Sequence, residues 1–374
     1  MIAKFFSYLF LWGPFSTFFK VLGRKRSLVF PLPPLRFNEP HVAVVGCGQF
    51  PFSNILPYLY FRFGAIVRRT FDTDLIAQSS LEKLFSVLFR SSNLNDIIND
   101  PVVDLVYIAS PHSTHAPYAS KVLLSGKSVY VEKPIAVDLL QLSSLISAQS
   151  NSNCPLFIGF NRPHSPFIKL LKRLSFESGP FFCSMVVFGH KIPHDHWYRA
   201  QGQGSRIAGN CSHWIDLAVH MFCWHSLTFP LELTLVKGYS EFPDENFVLQ
   251  ITSPAGSIVS LSFFAKHELH LGVTESVAFQ SSLVTALIDN FKTLRVDNGS
   301  NTSVYYSIFK DVGHRNAILA PFLEDSAHSR LRMIESFLSA ELTLFLISMI
   351  DNSITNATFI PSCLSSLLLS ELHP

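Results

Sequence analysis

Charged side chains are scarce in this chain of 374 residues, where Asp, Glu, Lys and Arg together make up 15%. Hydrophobic residues make up 48%, and this balance argues against extended disorder. The length suffices for two domains, each with a core of its own. The net charge is only +2, with Lys and Arg scattered rather than striped, which argues against nucleic acid as the main partner.

The chain lacks any Cys-x-x-Cys pair, and its six cysteines are dispersed. This spacing is typical of reduced thiols in a cytosolic protein rather than of a disulfide framework. Histidines gather between residues 190 and 225, but their spacing matches neither His-Glu-x-x-His nor a Cys/His metal cluster. We therefore expect no metal. Internal repeats and low-complexity tracts are also absent.

The aromatic stretch from Phe5 to Phe19 falls short of the ~20 apolar residues that a spanning helix needs, and Gly13-Pro14 interrupts it. Basic residues flank it, and no small-x-small cleavage site follows. Two interpretations stay open. The stretch is an interfacial anchor, with its basic cluster (Arg24 to Arg26) on anionic lipid, or it is an extension packed on the body or a start codon placed too early. Residues 31–40 form a proline-rich linker, so residues 1–40 are treated as a separate extension.

Short apolar runs alternate with segments of helical spacing from residue 41 to residue 161. This alternation predicts βαβ units and a parallel sheet. From residue 162 to residue 374, strands in succession with turn residues between them predict meanders of an antiparallel sheet. The fold class is therefore α/β: a Rossmann dinucleotide-binding domain followed by an α+β domain with a large, mainly antiparallel sheet. The apolar stretch Leu331 to Ile350 is expected to be a buried helix, because Glu335, Glu341 and Asp351 interrupt it.

A glycine-rich turn, Gly46-Cys47-Gly48-Gln49-Phe50-Pro51, ends the first strand and opens a helical stretch. The first glycine permits a tight turn, and the second lets the backbone approach a pyrophosphate at the helix N-terminus. Pro51 stands where a third glycine or alanine is usual. Asp72 ends the second strand, where a carboxylate meets the ribose 2′-hydroxyl of NAD. Arg68 and Arg69 lie close in sequence, so NADP stays open.

Three further segments bring a known family into view. Ile108-Ala-Ser-Pro-His-Ser-Thr-His115 follows the fourth strand, Val129-Tyr-Val-Glu-Lys-Pro134 the fifth, and Gly159-Phe-Asn-Arg162 the sixth. In this order and spacing they resemble the Gfo/Idh/MocA family of sugar and cyclitol oxidoreductases. Ile192 to Trp197 and Gly209 to Asp216 are similar to a subgroup sometimes fused to a zinc-type alcohol dehydrogenase domain.

The resemblance implies roles for individual residues. Lys133 would lie beside the nicotinamide on a bend that its proline holds in the cis form, and His213 would occupy the catalytic histidine position. The cofactor NAD or NADP would be bound by Gly46, Gly48, Gln49, Phe50, Asp72, Ser110, Pro111, His115, Glu132 and Lys133. The substrate would meet Asn161, Arg162, His196, Trp197, Arg206, Asn210 and Asp216.

Two departures weaken the proton relay that the family uses. Many members carry an aspartate four residues before the histidine, where this chain has Gly209. The subgroup often has a glutamate where Asn210 stands.

The expected function is an NAD(P)-dependent oxidoreductase moving hydride between nicotinamide and a secondary alcohol or ketone of a sugar, nucleotide sugar or cyclitol. A role in surface-polysaccharide precursor synthesis would fit an anchored form. The alternative is a catalytically degenerate dinucleotide-binding sensor or assembly subunit; a third is transient oxidation that drives elimination or glycoside cleavage. We expect a cytoplasmic homo-oligomer, with peripheral membrane contact through residues 1–26 if the anchor is real.

Overall fold

The structure is a computed structural model that describes residues 2–26, 30–33, 38–175, 179–225, 227–267 and 272–372. Part of the proline-rich linker, residues 34–37, lies outside these ranges. The chain divides into two compact units. The Rossmann unit comprises Trp12–Gly159 and His314–Met333, and the sheet unit comprises Met1–Leu11, Phe160–Gly313 and Ile334–Pro374.

The Rossmann unit is built on a six-stranded parallel sheet in the order β3-β2-β1-β4-β5-β6. Its strands are β1 (Val42–Val45), β2 (Val67–Phe71), β3 (Phe89–Arg90), β4 (Leu105–Ile108), β5 (Ser128–Val131) and β6 (Leu156–Ile158). β1, β4 and β5 are almost wholly buried, which explains why their sequences read as continuous apolar runs. The predicted parallel dinucleotide-binding sheet is confirmed.

Several helices surround this sheet in sequence between its strands or after them. They are α2 (Leu56–Phe63), α3 (Leu75–Phe85), α4 (Leu94–Ile98), α5 (His112–Leu124), α6 (Leu139–Ser150) and, from the C-terminal part of the chain, α9 (His314–Leu323). Side-chain caps fix where several of them begin: the Asp74 carboxylate accepts from two backbone N–H groups of α3, and Asp138 accepts from Gln141 in α6. The Tyr107 hydroxyl of β4 donates to the Ile318 carbonyl at 2.7 Å, which ties α9 to the sheet.

The N-terminal aromatic stretch is helical, which the sequence did not indicate. Helix α1 (Ile2–Arg24) is kinked at Gly13, whose φ is +83°, directly before Pro14. Phe19 is 2% exposed and joins the core of the Rossmann unit, with its ring 6.1 Å from that of Phe85. The second half of α1 is therefore an integral part of this unit rather than a separate extension.

The sheet unit contains nine strands in the order β14-β13-β12-β11-β7-β10-β9-β8-β15. Every neighbouring pair is antiparallel except β7 with β10, which confirms the mainly antiparallel prediction. The strands are β7 (Phe182–His190), β8 (Leu231–Lys237), β9 (Phe247–Thr252), β10 (Ile258–His267), β11 (Thr274–Gln280), β12 (Thr285–Asp289), β13 (Thr293–Asp297), β14 (Thr302–Tyr306) and β15 (Asn356–Phe359).

Helices cover one face of this sheet. They are α7 (Pro166–Ser175), α8 (Ser212–Trp224), α10 (Ser326–Asp351) and the short α11 (Ser366–Ser370), with α10 beginning in the Rossmann unit. A turn of π-helix, Ile207–Cys211, leads into α8. Alternate residues of β7, β8 and β12 are buried, as expected for a sheet with one face packed and one exposed.

Two helices are long and apolar enough to cross a membrane when judged by length and composition among the described residues. One is Phe5–Arg24 and the other is α10, most of which is buried inside the protein. Burial of α10 agrees with the expectation of a globular core helix, whereas most of the first helix is not buried.

Candidate functional site

The glycine-rich turn has the geometry that the sequence predicts. Gly46 has a φ of +92°, and a Cβ atom on it would stand 2.4 Å from the Ala109 carbonyl oxygen at the end of β4. Gly48 is exposed, and among the described residues beyond its two chain neighbours none has an atom within 4 Å of where its Cβ would be. Pro51 is the first residue of the following helical turn. The loop therefore leaves open space beside Gly48, as the approach of a diphosphate requires.

Asp72 holds the loop from the side. One carboxylate oxygen accepts from the Cys47 backbone N–H at 2.5 Å, and the other accepts from the Asp74 N–H at 2.8 Å. Arg68 and Arg69 do not reach this group: both donate from Nε to the same Asp100 oxygen, at 2.8 and 2.5 Å. The Nε groups of these two arginines are therefore engaged by Asp100 rather than by Asp72.

The side chains of Gln49 and Phe50 are directed toward other parts of the Rossmann unit. The Gln49 amide donates to the Lys20 carbonyl of α1 at 3.3 Å, and the Phe50 ring lies 5.7 Å from that of His314. A role in cofactor binding would therefore use mainly their backbone, which stays a prediction.

The loops after β4 and β5 are joined by His115. Its Nδ1 lies 2.8 Å from the Pro134 carbonyl oxygen and its Nε2 lies 2.8 Å from the Ser110 carbonyl oxygen. Burial lowers the pKa of His115 to about 4, against the effect of these carbonyls. The neutral ring carries one N–H, so it donates to one of the two carbonyl oxygens and packs against the other. His115 thus positions both loops, while Ser110 shares a 2.6 Å hydrogen bond with Thr114 and Pro111 precedes α5.

Lys133 follows β5 and is the partly exposed residue between two buried ones, Glu132 and Pro134. The Lys133-Pro134 peptide bond is cis, as the sequence suggests. Burial raises the pKa of Glu132 to about 7, although the charge of Lys133 and a 2.8 Å hydrogen bond from the Tyr130 hydroxyl both oppose the rise. The sequence analysis named Glu132 and Lys133 but missed Tyr130, whose hydroxyl holds the carboxyl in place.

In the sheet unit, His213 is partly exposed between buried neighbours, as Lys133 is in the Rossmann unit. It lies in the first turn of α8 and is partly exposed, whereas Ser212 and Trp214 on either side are buried. The Phe160 ring lies 6.3 Å away in an edge-to-face arrangement. A partly exposed imidazole held by buried neighbours can exchange a proton with a ligand.

Tyr198 explains one of the two departures in the sequence. A Cβ atom on Gly209 would stand 2.8 Å from the Tyr198 ring, so this ring occupies the space that an aspartate would need. His196 accepts the Tyr198 backbone N–H at 3.2 Å, and Trp197 beside it is exposed. Burial, with the charges of nearby arginines, lowers the pKa of His196. Sequence reasoning missed Tyr198, because nothing in the spacing relates it to Gly209.

Two of the predicted substrate residues are buried and bound to protein groups. The Asn161 amide donates to the Val312 carbonyl at 2.7 Å, and the Arg162 guanidinium donates to both carboxylate oxygens of Glu275 at 3.1 to 3.3 Å. Glu275 also accepts from the Trp214 indole at 2.8 Å and pairs with Lys310 at 2.8 Å. Glu275 is therefore the centre of a buried network that holds Trp214, next to His213. The assignment of Asn161 and Arg162 to substrate binding finds no support in this burial.

Arg206 and Asp216 are also inaccessible. Arg206 is 1% exposed, and its guanidinium donates to the His190 carbonyl and lies 3.7 Å from Glu245. Asp216 is 0% exposed and accepts from the Ser339 hydroxyl of α10 at 3.0 Å. Asp216 therefore packs between helices rather than along an open face with His213. Asn210, in the π-turn before α8, is partly exposed and stays a candidate.

The part of the chain that the structure describes holds no group of three or more His, Cys, Asp or Glu side chains that could bind a metal ion. The free cysteines include Cys47 of the glycine-rich turn, which is fully buried. Burial raises the pKa of the Cys47 thiol well above its ordinary value, so this cysteine is not a nucleophile.

Residues 41–160 match the model of the GFO_IDH_MocA oxidoreductase family with an NAD-binding Rossmann fold. The uncharacterised oxidoreductase YdgJ of Escherichia coli strain K12 is 33% identical over 129 residues, which is 33% of this chain and 36% of the relative. An inositol 2-dehydrogenase of Saccharopolyspora erythraea is 25% identical over 60% of this chain and 66% of its own length. The chain spans less than half the length of several curated relatives that it matches.

Among solved structures, levoglucosan dehydrogenase in complex with NADH has a TM-score of 0.68 and 14% identity, covering 86% of this chain and 99% of that chain. This likeness shows a shared fold. The family match covers the Rossmann domain, so residues 41–160 are similar to the NAD-binding domain of the Gfo/Idh/MocA oxidoreductases. The resemblance and the cofactor class expected from the sequence are confirmed; the likeness to the fused subgroup stays a prediction.

The Glu275 network yields a stability prediction. Burial alone would raise the pKa of Glu275, but the charges and hydrogen bonds of Arg162 and Lys310 outweigh it and lower the pKa below the ordinary 4.5. Glu275→Gln leaves two buried cations without their anion, so we expect a loss of about 3–5 kcal/mol in the free energy of unfolding at pH 7, measured by urea denaturation.

The same lowered pKa fixes the direction of the pH effect. The stabilisation is present above pH 4.5 and is lost as the pH falls through the pKa of the folded state. Glu275→Gln should therefore lack this acid-sensitive component. Glu232→Gln, at an exposed position of β8, is the matched control and should change stability by less than about 0.5 kcal/mol. Equal effects of the two substitutions would contradict the role of the network.

Proposed function

We propose that this protein is an NAD(P)-dependent dehydrogenase or reductase acting on a secondary alcohol or ketone of a sugar, nucleotide sugar or cyclitol. The observation that carries the proposal is the open backbone beside Gly48, in a domain that matches the NAD-binding family, with Lys133 left accessible two loops away. Relatives and fold neighbours named as inositol and levoglucosan dehydrogenases support the substrate class.

Lys133 is proposed as the electrostatic partner of the reacting oxygen. When bound, the nicotinamide supplies hydride transfer, and the carbinol oxygen of the substrate must lose or gain a proton at the same time. A lysine ammonium near that oxygen stabilises developing negative charge. His115 packs the loop that carries Lys133 against the Ser110 loop, since its ring nitrogens lie 2.8 Å from the Pro134 and Ser110 carbonyl oxygens.

His213 is proposed as the proton acceptor in alcohol oxidation and as the donor in the reverse direction. Imidazole titrates near neutral pH, which suits both directions. No aspartate stands at Gly209 to orient the ring, because Tyr198 fills that space. The Glu275 network positions the start of α8 instead, through the hydrogen bond from Trp214.

The same observation at Gly209 favours a second candidate function. A member that binds the dinucleotide but lacks an efficient proton relay would act as a sensor or assembly subunit. Tight cofactor binding in calorimetry, with no substrate-dependent redox change, would identify this case.

Substitution of the two proposed catalytic residues tests the main proposal. We expect the pure protein to reduce NAD or NADP with at least one member of a panel of sugars, nucleotide sugars and cyclitols. Lys133→Ala and His213→Asn should each lower kcat by about 10²- to 10⁴-fold while cofactor affinity stays within about threefold. Absorbance of the reduced nicotinamide measures turnover, and calorimetry measures binding.

The control variants are Lys121→Ala and His328→Asn, which remove an exposed lysine and an exposed histidine. They should retain activity. If Lys133→Ala turned over as fast as the wild type, or if no substrate in the panel reacted, the dehydrogenase proposal would have to be abandoned in favour of the sensor.

We also propose that the protein is cytoplasmic and contacts anionic membrane surfaces through the N-terminal segment. In the Rossmann unit, Phe18, Val21 and Phe61 are exposed apolar side chains, and Arg24 and Lys25 are exposed at the end of α1. Helix α1 contains no acidic residue. Aromatic rings with adjacent cations are the composition of an interfacial anchor. Such an anchor would suit an enzyme of surface-polysaccharide precursor synthesis.

Vesicle flotation tests this contact. The wild type should float with vesicles containing phosphatidylserine and much less with neutral vesicles, because attraction of the cations to anionic lipid contributes about 1 kcal/mol each. Replacing Phe18 and Val21 by serine should abolish flotation, whereas Phe89→Ser, at an exposed phenylalanine of β3, should not. Flotation that ignores lipid charge and both substitutions would contradict the proposal.

The open face of the nine-stranded sheet is proposed as the homo-oligomer interface. Phe182, Phe188 and Leu287 are exposed on this face, and the pairing register of β7, β11 and β12 places them on the same side. Apolar side chains gathered on one open sheet face favour association of identical subunits.

Analytical ultracentrifugation should detect an oligomer that Leu287→Lys weakens by tenfold or more in dissociation constant, because a charge would be buried. Ile360→Lys, at an exposed apolar residue outside this face, is the control. A monomer at all concentrations would refute the interface.

A further inference from the structure

One arginine of the basic cluster that follows the aromatic stretch lies beside the glycine-rich turn rather than at the exposed surface. Arg26 follows α1, and its Nη1 donates to the Cys47 carbonyl at 2.9 Å and to the Ala77 carbonyl at 3.0 Å. The same nitrogen lies 3.2 Å from the Ser80 hydroxyl. Arg26 therefore bridges the glycine-rich turn after β1 and the first turns of α3 after β2.

The guanidinium is held in place on its other sides as well. Its Nε donates to the Gly23 carbonyl at 3.2 Å, and its central carbon lies 4.8 Å from the centre of the buried Phe52 ring. Gly23 is itself packed against Gln49 of the turn. A guanidinium fixed on three sides is preorganised, so a ligand that binds it meets little entropic cost.

The Nη2 group of this guanidinium is available to donate to a ligand. Among the residues described between 2 and 372, none accepts a hydrogen bond from Nη2 of Arg26, and the residue is only partly buried. Asp72, by contrast, uses both carboxylate oxygens on the backbone N–H groups of Cys47 and Asp74. This corner of the Rossmann unit therefore offers a cation with spare donors beside a carboxylate that is already engaged.

We propose that Arg26 is a specificity-determining residue that receives the 2′-phosphate of NADP. The inference rests on the proposed function. In Rossmann domains the ribose 2′ position lies at the end of the second strand, where a carboxylate favours NAD and a nearby arginine accommodates the phosphate. Asp72 alone would repel a phosphate. Arg26 offsets that charge and supplies N–H donors.

Direct binding measurements on the full-length protein test the proposal without requiring turnover. By calorimetry, the wild type should bind 2′,5′-ADP at least tenfold more tightly than 5′-AMP, because a charge-assisted hydrogen bond contributes that much affinity. Arg26→Gln should weaken NADP binding by tenfold or more and change NAD binding by less than about threefold. Arg26→Lys keeps the charge but loses the planar guanidinium, so its affinity for NADP should lie between those of the wild type and Arg26→Gln.

Arg24→Gln is the matched control, since it removes the same charge from an exposed position two residues earlier. It should leave both affinities unchanged. If Arg26→Gln fails to fold, the comparison of 2′,5′-ADP with 5′-AMP on the wild type decides alone. An absence of preference for the 2′-phosphate, or equal loss of NAD and NADP in Arg26→Gln, would reduce Arg26 to a clamp on the loop and overturn the proposal.

The outcomes separate this inference from the proposed function. Selective NADP binding through Arg26 with no sugar turnover would contradict the dehydrogenase and leave the inference standing. Turnover with NAD that is indifferent to Arg26 would do the reverse. Failure of both dinucleotides to bind would contradict both.

Discussion

The contact between Gly46 and the Ala109 carbonyl oxygen is the constraint on which the Rossmann unit depends. The chain leaves β1 so close to the end of β4 that a single Cβ would collide at 2.4 Å. Because β1 and β4 are neighbours at the centre of the sheet, this approach sets where the loops after both strands lie. This approach fixes the positions of the open backbone at Gly48, the Asp72 carboxylate and the Ser110 loop. His115 contacts both the Ser110 loop and the loop of Lys133.

Burial separates the residues that hold the site from those that could react. Lys133 and His213 are each partly exposed between buried neighbours, whereas Arg162, Arg206 and Asp216 have polar groups that are bound inside the protein. Sequence reasoning grouped all five as site residues, since a motif shows which residues lie near one another and not which side chains remain accessible. The charges of Arg162 and Lys310 find their partner in Glu275, far away in the sequence, and no spacing rule could have found it.

The elements that could be predicted are those whose pattern lies within a short segment of sequence. Strands β1, β4 and β5 are short apolar runs, and their parallel pairing follows from the helices between them. By contrast, the turn of the hairpin formed by β11 and β12 could not be recognised from the sequence, because residues Ser281 to Leu283 include neither glycine nor proline. The order of the nine-stranded sheet depends on packing between distant segments and could not be read from local patterns.

The N-terminal segment shows why a composition-based boundary was insufficient. Its aromatic and basic residues suggested a separate extension, yet Phe19 is a core residue and Arg26 binds the glycine-rich turn. Other aromatic residues of the same helix, such as Phe18, do not pack into the core and stay exposed. Helix α1 therefore packs one face on the cofactor domain and leaves apolar rings exposed on the other face. A surface that binds those rings would also affect the position of Arg26. Gly23, which accepts a hydrogen bond from Arg26 near the end of α1, is packed directly against Gln49.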